Sequence, residues 1–254
     1  MPPRPFVLAE SNWKTVKDTS FEVAILPWGA TEPHNYHLPY GTDNYETRTI
    51  AKRAAEIAWK KGAKVVVLPT VPFGVNTGQL DLKLALNMNP STQLALLPAL
   101  ASALAGQCVK KLVILNGHGG NDFKQMIREL QPKLDLFICV INWWTCVKGA
   151  DYFDEPGDHA GEMETSIMMA LEPDLVLPLA EAGPGKARRF RIPGLRDGWA
   201  WAPRQWTKVT DDTGTGNPKA STAAKGEKFL TAVTERVGGF LVDLAKADLK
   251  EMYE

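Results

Sequence analysis

The sequence predicts an α/β protein in three layers, α/β/α, with helices on both faces of a mostly parallel central sheet. Two observations carry this. Short apolar or β-branched runs recur at residues 23–26, 64–68, 111–115 and 136–142, each of strand length. Between them lie stretches with apolar residues at helical spacing, and strands alternating with helices build parallel sheets covered on both sides. A third observation places the chemistry. Several of the unusual polar residues follow strand ends, and in such sheets ligands bind at the carboxyl edge.

In chain order, the first strand, 23–26, is Val-Ala-Ile-Leu. A helix is expected over 44–61, with Ile50, Ala54 and Ile57 on one face and Gly62 as its stop. Residues 64–68 contain three consecutive valines, a second strand. Residues 69–89 are rich in Pro, Gly and Asn and read as a long loop. Ser91 is placed to cap a helix reaching Gln107, with a kink expected at Pro98. The third strand, 111–115, runs into the loop around His118. Asn121 or Asp122 then caps a helix with Phe123, Ile127 and Leu130 on one face. The fourth strand, 136–142, ends at Trp143-Trp144, and a helix is expected over 162–171, stopped before Pro173. A loop-rich stretch, 183–219, carries Trp199, Trp201 and Trp206. The closing helix, 222–249, repeats Phe229, Val233, Val237, Phe240 and Leu244 at helical spacing. No linker or internal repeat interrupts the pattern, so one domain over 1–254 is expected.

Charge narrows the partners. With 29 basic and 29 acidic residues, the chain has no net charge to draw it to nucleic acid or an anionic membrane as its main partner. Met1-Pro2-Pro3-Arg4-Pro5 lacks an apolar signal core, and no stretch approaches transmembrane length, so a soluble cytoplasmic protein is expected. Cys108, Cys139 and Cys146 form no C-x-x-C pair. Cys108 and Cys139 sit in apolar sequence and are expected as buried reduced thiols.

All four histidines stand beside glycines, carboxylates or one another. Glu32-Pro33-His34-Asn35-Tyr36-His37 leads on to Gly41-Thr42-Asp43 after the first strand. His118 lies in Asn116-Gly117-His118-Gly119-Gly120-Asn121 after the third, and His159 opens His159-Ala160-Gly161-Glu162-Met163-Glu164. Each has a plain structural reading. Asp43 and Glu46 have the spacing of a capping box. The glycines around His118 serve either a turn with positive φ or a close backbone approach. No G-x-G-x-x-G is present, so a phosphate cradle there has little support. His37 reads as a residue holding its loop by hydrogen bonds, His159 reads equally as a loop histidine, and Glu162 as a helix-dipole partner while Glu164 turns inward. Against this stands their combination. Glu32 and His34 point the same way in extended backbone. With Asp43, His118 and Glu164 they form a mixed N/O donor set suited to Zn²⁺, Mn²⁺ or Fe²⁺ rather than to a structural thiolate site. An Asp shared by two ions gives a centre about 3.5 Å across that activates water, and His159 could carry a proton to or from a leaving group. The expectation is a metal-dependent hydrolase.

At these residues the chain resembles the creatininase (creatinine amidohydrolase) family. The matching pieces are Pro27-Trp28-Gly29-Ala30-Thr31-Glu32-Pro33-His34 with His37-Leu38-Pro39 and Gly41-Thr42-Asp43, the Asn116 to Asn121 segment, and His159-Ala160-Gly161-Glu162-Met163-Glu164-Thr165-Ser166. The resemblance covers most of 20–245. It implies an α/β fold, two divalent metal ions per subunit and a homo-oligomer, usually a hexamer. By position it implies Glu32, Asp43 and His118 on one metal, and His34 with a bridging Asp43 on the other. His159 falls at the family's catalytic histidine. In creatininase itself a glutamate two residues after the histidine matched by His118 ligates the second metal; here that position is Gly120. Glu164 is expected to supply the missing carboxylate and, with His159, to belong to the catalytic set.

The Asn-Gly-His-Gly-Gly-Asn form is more similar to other branches of the family: formamidopyrimidine deformylases, the mycofactocin-maturation peptidase, and hydrolases of keto-inositol rings. The expected reaction is hydrolysis of a C–N bond in a cyclic amide or related small molecule. The alternatives are C–C hydrolysis of a keto-inositol (dehydro-inosose) ring and a non-catalytic metal-binding scaffold. Substrate choice falls to residues 73–79, Trp143-Trp144 and 199–206, with Asn35 and Tyr36 as further pocket candidates. The indoles suit either a flat or sugar-like substrate face or a subunit contact. Arg188, Arg189 and Arg191 read as a solvated or interface face.

Overall fold

The computed structural model describes residues 3–254. Strands β1 (Val23–Trp28), β2 (Val65–Val67), β3 (Lys111–Asn116) and β4 (Phe137–Asn142) form one parallel sheet in the order β2-β1-β3-β4. Ala24 pairs with Val66 on one side and Leu112 on the other, and Leu112 with Ile138. β1 and β3 are buried along their whole length, which is why they read as continuous apolar runs.

Successive strand residues feed two cores. Val23, Ile25, Val113 and Leu115 pack with α1 (Thr42–Lys60), α4 (Glu162–Leu171) and α5 (Ala223–Lys246). Ala24, Leu26, Leu112 and Ile114 pack with α2 (Pro90–Gly106) and α3 (Lys124–Leu130). The result is the expected three-layer α/β/α arrangement. On α5, Phe229, Val233 and Leu241 are fully buried, each worth about 1.5–3 kcal/mol of transfer free energy. The Phe229 ring meets Trp143, Tyr152 and Phe153 edge-on, tying α5 to the segment after β4. No described helix is long and apolar enough to cross a membrane.

Several expectations need correction. β1 continues through Pro27. Proline donates no hydrogen bond, but its carbonyl accepts from Val71 N–H and Trp28 still pairs with Asn116. The capping box of Asp43 and Glu46 does not form. Gly41 holds the cap position of α1, while both carboxylates lie buried inside the helix; Asp43 is engaged with imidazoles instead. Asn89 precedes α2 with Pro90 at its first position, so Ser91 is interior, and Pro98 is carried within the helix. At α3, Asp122 Oδ1 accepts from Lys124 N–H, while Asn121 turns toward Asn116 and Val75. The closing helix starts where expected, with Thr222 as its cap, but it stops at Lys246 rather than 249. There Lys111 Nζ, reaching from β3, binds the carbonyls of Ala245 and Ala247. Cys108 is exposed, in a left-handed turn after α2. Cys139 is only partly covered, although burial pushes its thiol up to about 12.

Candidate metal centre

The chain runs from β1 outward to β2 and returns past β1 to β3. The sheet's switch point therefore lies between the carboxyl ends of β1 and β3, closed by Gly117 N–H donating to Trp28 O at 2.9 Å. The loop after β1 carries Glu32 and His34, and the loop after β3 carries His118. The first turn of α1 delivers Asp43, and α4 with its leading loop delivers Glu164 and His159. Glycine is needed here for space. A Cβ on Gly117 would lie 1.7 Å from Thr47 Oγ1 on α1, and one on Gly120 would lie 2.2 Å from Val75 O. Neither has positive φ. The left-handed residues are Asn35 (φ 54) and Ala160 (φ 50), each directly after a site histidine. Such backbone is uncommon outside glycine and is held by its surroundings. Asn35 is locked by a two-way hydrogen bond with the Gly183 backbone.

The side chains converge. His34 Nε2 is 2.9 Å from Asp43 Oδ1. His118 Nδ1 is 2.8 Å from Glu32 Oε1 and 3.1 Å from Asp43 Oδ2, and His159 Nδ1 is 3.9 Å from Glu32 Oε1. The His34 and His159 rings lie against each other, tilted by 34° with centroids 4.1 Å apart. All of these are buried, while Glu164 is half-buried. Donor atoms within 4.8 Å of one another form three sets: Glu32, Asp43 and His118; His34, Asp43 and Glu164; Glu32, His34 and His159. Asp43 belongs to the first two.

Hydrogen bonding fixes what these atoms offer. Each ring spends one nitrogen on a backbone carbonyl: His34 Nδ1 on Glu32 (3.0 Å), His118 Nε2 on Val75 (3.1 Å), and His159 Nε2 on Pro33 (2.9 Å). A carbonyl only accepts, so that nitrogen carries the proton. The other nitrogen of a neutral ring then presents a lone pair to carboxylate oxygens. Glu32 Oε1 and Asp43 Oδ2, although close to His118, are not aligned with an N–H and find no hydrogen-bond partner among the described residues. Lone pairs facing lone pairs in a buried site require positive charge between them. A divalent cation with nitrogen and oxygen ligands fits that requirement, and the carbonyl-anchored rings are typical of ligating histidines.

Without a metal, protons fill the same need. Burial pushes His34 down, but the Asp43 carboxylate outweighs it and raises the ring to about 10. His118 is raised in the same way by Glu32 and Asp43. Burial pushes Glu32 and Asp43 up, but the imidazoles beside them hold both below the usual carboxylate range. His37 stands apart. Burial, then the charge of His34, lowers it to about 4, and its Nε2 lies 2.9 Å from Thr165 Oγ1, the loop-holding role read from sequence.

The site opens into a cavity of about 840 Å³. Trp143, Trp144, Trp201, Arg204, Trp206 and residues 75–79 are among its lining. Trp206 sets its edge against His159 (5.3 Å) and carries the Arg204 guanidinium on its face, while Arg204 pairs with Asp158 at 2.6 Å. Other pocket candidates lie elsewhere. Asn35 and Tyr36 reach the arm of residues 183–219, and Phe73 and Trp199 are outside the lining. Arg188, Arg189 and Arg191, read from sequence as a solvated or interface face, are exposed. Glu162 is fully buried and accepts from Glu155 N–H and Lys225 Nζ. Two residues take places at the site other than those read from sequence. Gln79 hydrogen-bonds Glu32. Glu46 is buried beside Asp43 and Glu164, raised well above the usual range first by burial and then by those two charges. The i, i+3 spacing of Asp43 and Glu46 puts both on one helix face, a signal that could have found Glu46; nothing local marks Gln79.

The sequence profile of the creatininase family, described as creatinine amidohydrolase, matches residues 9–241. The chain belongs to the creatininase family. A crystal structure from Bacteroides fragilis NCTC 9343, described as a candidate creatinine amidohydrolase, superposes with a TM-score of 0.92 at 45% identity, covering 98% of this chain and 99% of that one. The mycofactocin precursor peptide peptidase of Mycolicibacterium smegmatis is 29% identical over 226 residues, 82% of this chain and 79% of its own. A creatininase solved with manganese shares the fold, with a TM-score of 0.78 at 21% identity, over 95% of this chain and 99% of that one. This member, like its relatives, is a hydrolase.

Proposed function

We propose that this creatininase-family hydrolase cleaves a C–N bond of a cyclic amide or related small molecule at a centre of two divalent metal ions. The observation that carries this is the pair of donor sets sharing Asp43. Glu32, Asp43 and His118 would hold one ion, and His34, Asp43 and Glu164 would hold the other. Bound ions would activate a water and polarise the substrate carbonyl. His159 has its Nε2–H anchored on Pro33 and its Nδ1 toward Glu32, and it exchanges the proton of the leaving nitrogen at Nδ1. Gly120 has no room for the glutamate of creatininase, and Glu164 takes that place. Relatives solved as manganese and zinc–zinc creatininases support Mn²⁺ or Zn²⁺. His159→Ala should keep both ions and lose turnover, whereas Glu164→Ala should lose one ion; a Glu164→Ala protein with two ions and full activity would defeat its assignment.

A second reading, a peptide C–N bond, is favoured by the size of the cavity and by the mycofactocin relative. The deciding experiment is a panel of lactams, formamides, short peptides and diketo-cyclitols. Turnover of cyclic amides or formamides supports the first reading, and turnover of peptides alone supports the second. Turnover of diketo-cyclitols alone would move the reaction to C–C hydrolysis, and none at all in the loaded protein would indicate a scaffold.

A further inference from the structure

We propose that Gln79 is a positioning residue that decides which oxygen of Glu32 meets the metal centre, an inference that rests on Glu32 being a ligand. The two oxygens of Glu32 have different surroundings. Oε2 accepts a hydrogen bond from Gln79 Nε2. Oε1 lies against His118 and His159 and has no hydrogen-bond partner among the described residues. A carboxylate only accepts, so the amide nitrogen of Gln79 must be the atom that faces it. The carboxamide is also uncharged. It occupies Oε2 without neutralising Glu32, leaving the negative charge for a cation at Oε1, where Lys or Arg in its place would compete.

Gln79 is itself held. It is buried at the end of the 3-10 turn Thr77–Gln79, its N–H on Asn76 O at 2.9 Å. Asn76 is pinned by Leu86 O and Asn87 Oδ1. A Cβ on Gly78 would lie 2.1 Å from Arg204 O, so the stretch that brings Trp201, Arg204 and Trp206 to the cavity rests directly on this turn. That lining and the orientation of Glu32 thus share one support. Such partners of a ligand commonly set metal affinity as strongly as ligands do.

The test is a Zn²⁺ titration of the full-length protein against a chromophoric chelator. The variants are Gln79→Met, which keeps length but lacks the donor, and Gln79→Glu, which faces Glu32 with a second acceptor. Both should bind one of two Zn²⁺ ions about 10–100-fold more weakly, with Gln79→Glu the worse. The other ion and the thermal midpoint of the metal-free protein should be unchanged. Wild-type affinity for both ions in Gln79→Met overturns the proposal, as does a loss explained by a lowered metal-free midpoint. Glu32→Gln, run in parallel, separates the two levels. If it also binds both ions normally, the ligand reading has failed. If it loses an ion while Gln79→Met does not, the role of Gln79 alone is refuted.

Discussion

Gly120→Ala should damage the centre from the backbone side. A β-carbon at 120 would lie 2.2 Å from Val75 O and 2.5 Å from His118 Nε2. The first obstacle is main chain and the second a fixed ring, so neither can step aside as a flexible side-chain end would. Gly120 does not have positive φ, so the cost is steric alone. Overpacking of this kind costs about 1–3 kcal/mol, and a domain of this size loses about 2–4 °C of midpoint per kcal/mol. The thermal midpoint of the metal-free protein should therefore fall by about 2–12 °C. The same two atoms make the 3.1 Å hydrogen bond that sets the His118 tautomer. Its loss should weaken Zn²⁺ binding about 10–100-fold. Gly120→Glu should fare no better, despite reinstating the carboxylate of creatininase. The assays are chelator-buffered thermal unfolding and Zn²⁺ titration. Unchanged values in Gly120→Ala, or tighter binding in Gly120→Glu, would refute the reasoning, because position 120 would then be open.

Metal affinity should depend steeply on pH. His34, raised to about 10, and the likewise raised His118 hold protons that a metal must displace, so combined affinity for two ions should drop about 100-fold per unit as pH falls from 8 to 6; a flat profile would contradict the assignment. In the metal-free protein the sign for stability is opposite. The contribution of these raised rings is complete below the ordinary histidine value of about 6.5 and is lost as pH rises through about 10, so urea midpoints of metal-free protein should fall toward pH 10 while those of metal-loaded protein do not. Thr222→Ala removes the acceptor for Lys225 N–H at the start of α5 and should cost about 0.5–2 kcal/mol in urea unfolding; no change would mean the cap contributes nothing.

The parts of the fold that were legible in the sequence are those fixed by local pattern. β1 and β3 are buried on both faces and appear as unbroken apolar runs, and α4 begins and ends at its expected residues. Ends set by distant contacts were not legible: α5 is stopped by Lys111 from β3. Asp43 shows the same limit. Its spacing to Glu46 is that of a cap, but imidazoles from two other loops claim its oxygens. For the site, the polar residues after strand ends announced Glu32, His34, Asp43 and His118, the segment leading into α4 marked His159, and the first turn of α4 carried Glu164 inward. Gln79 stayed hidden because its loop has no periodicity, and its partner lies 47 residues away. The glycines of the His118 loop were visible, but only the packed structure assigns their need to Thr47 and Val75 rather than to positive φ.

The central claim is a two-ion centre built on Asp43, and metal content tests it most directly. Native protein purified without chelator or affinity nickel would be analysed by mass spectrometry for metal per subunit, before and after reloading with Zn²⁺ or Mn²⁺. Close to two ions per chain are expected, and none in Asp43→Ala. One ion or none in the reloaded wild-type protein, or two ions in Asp43→Ala, would contradict that claim.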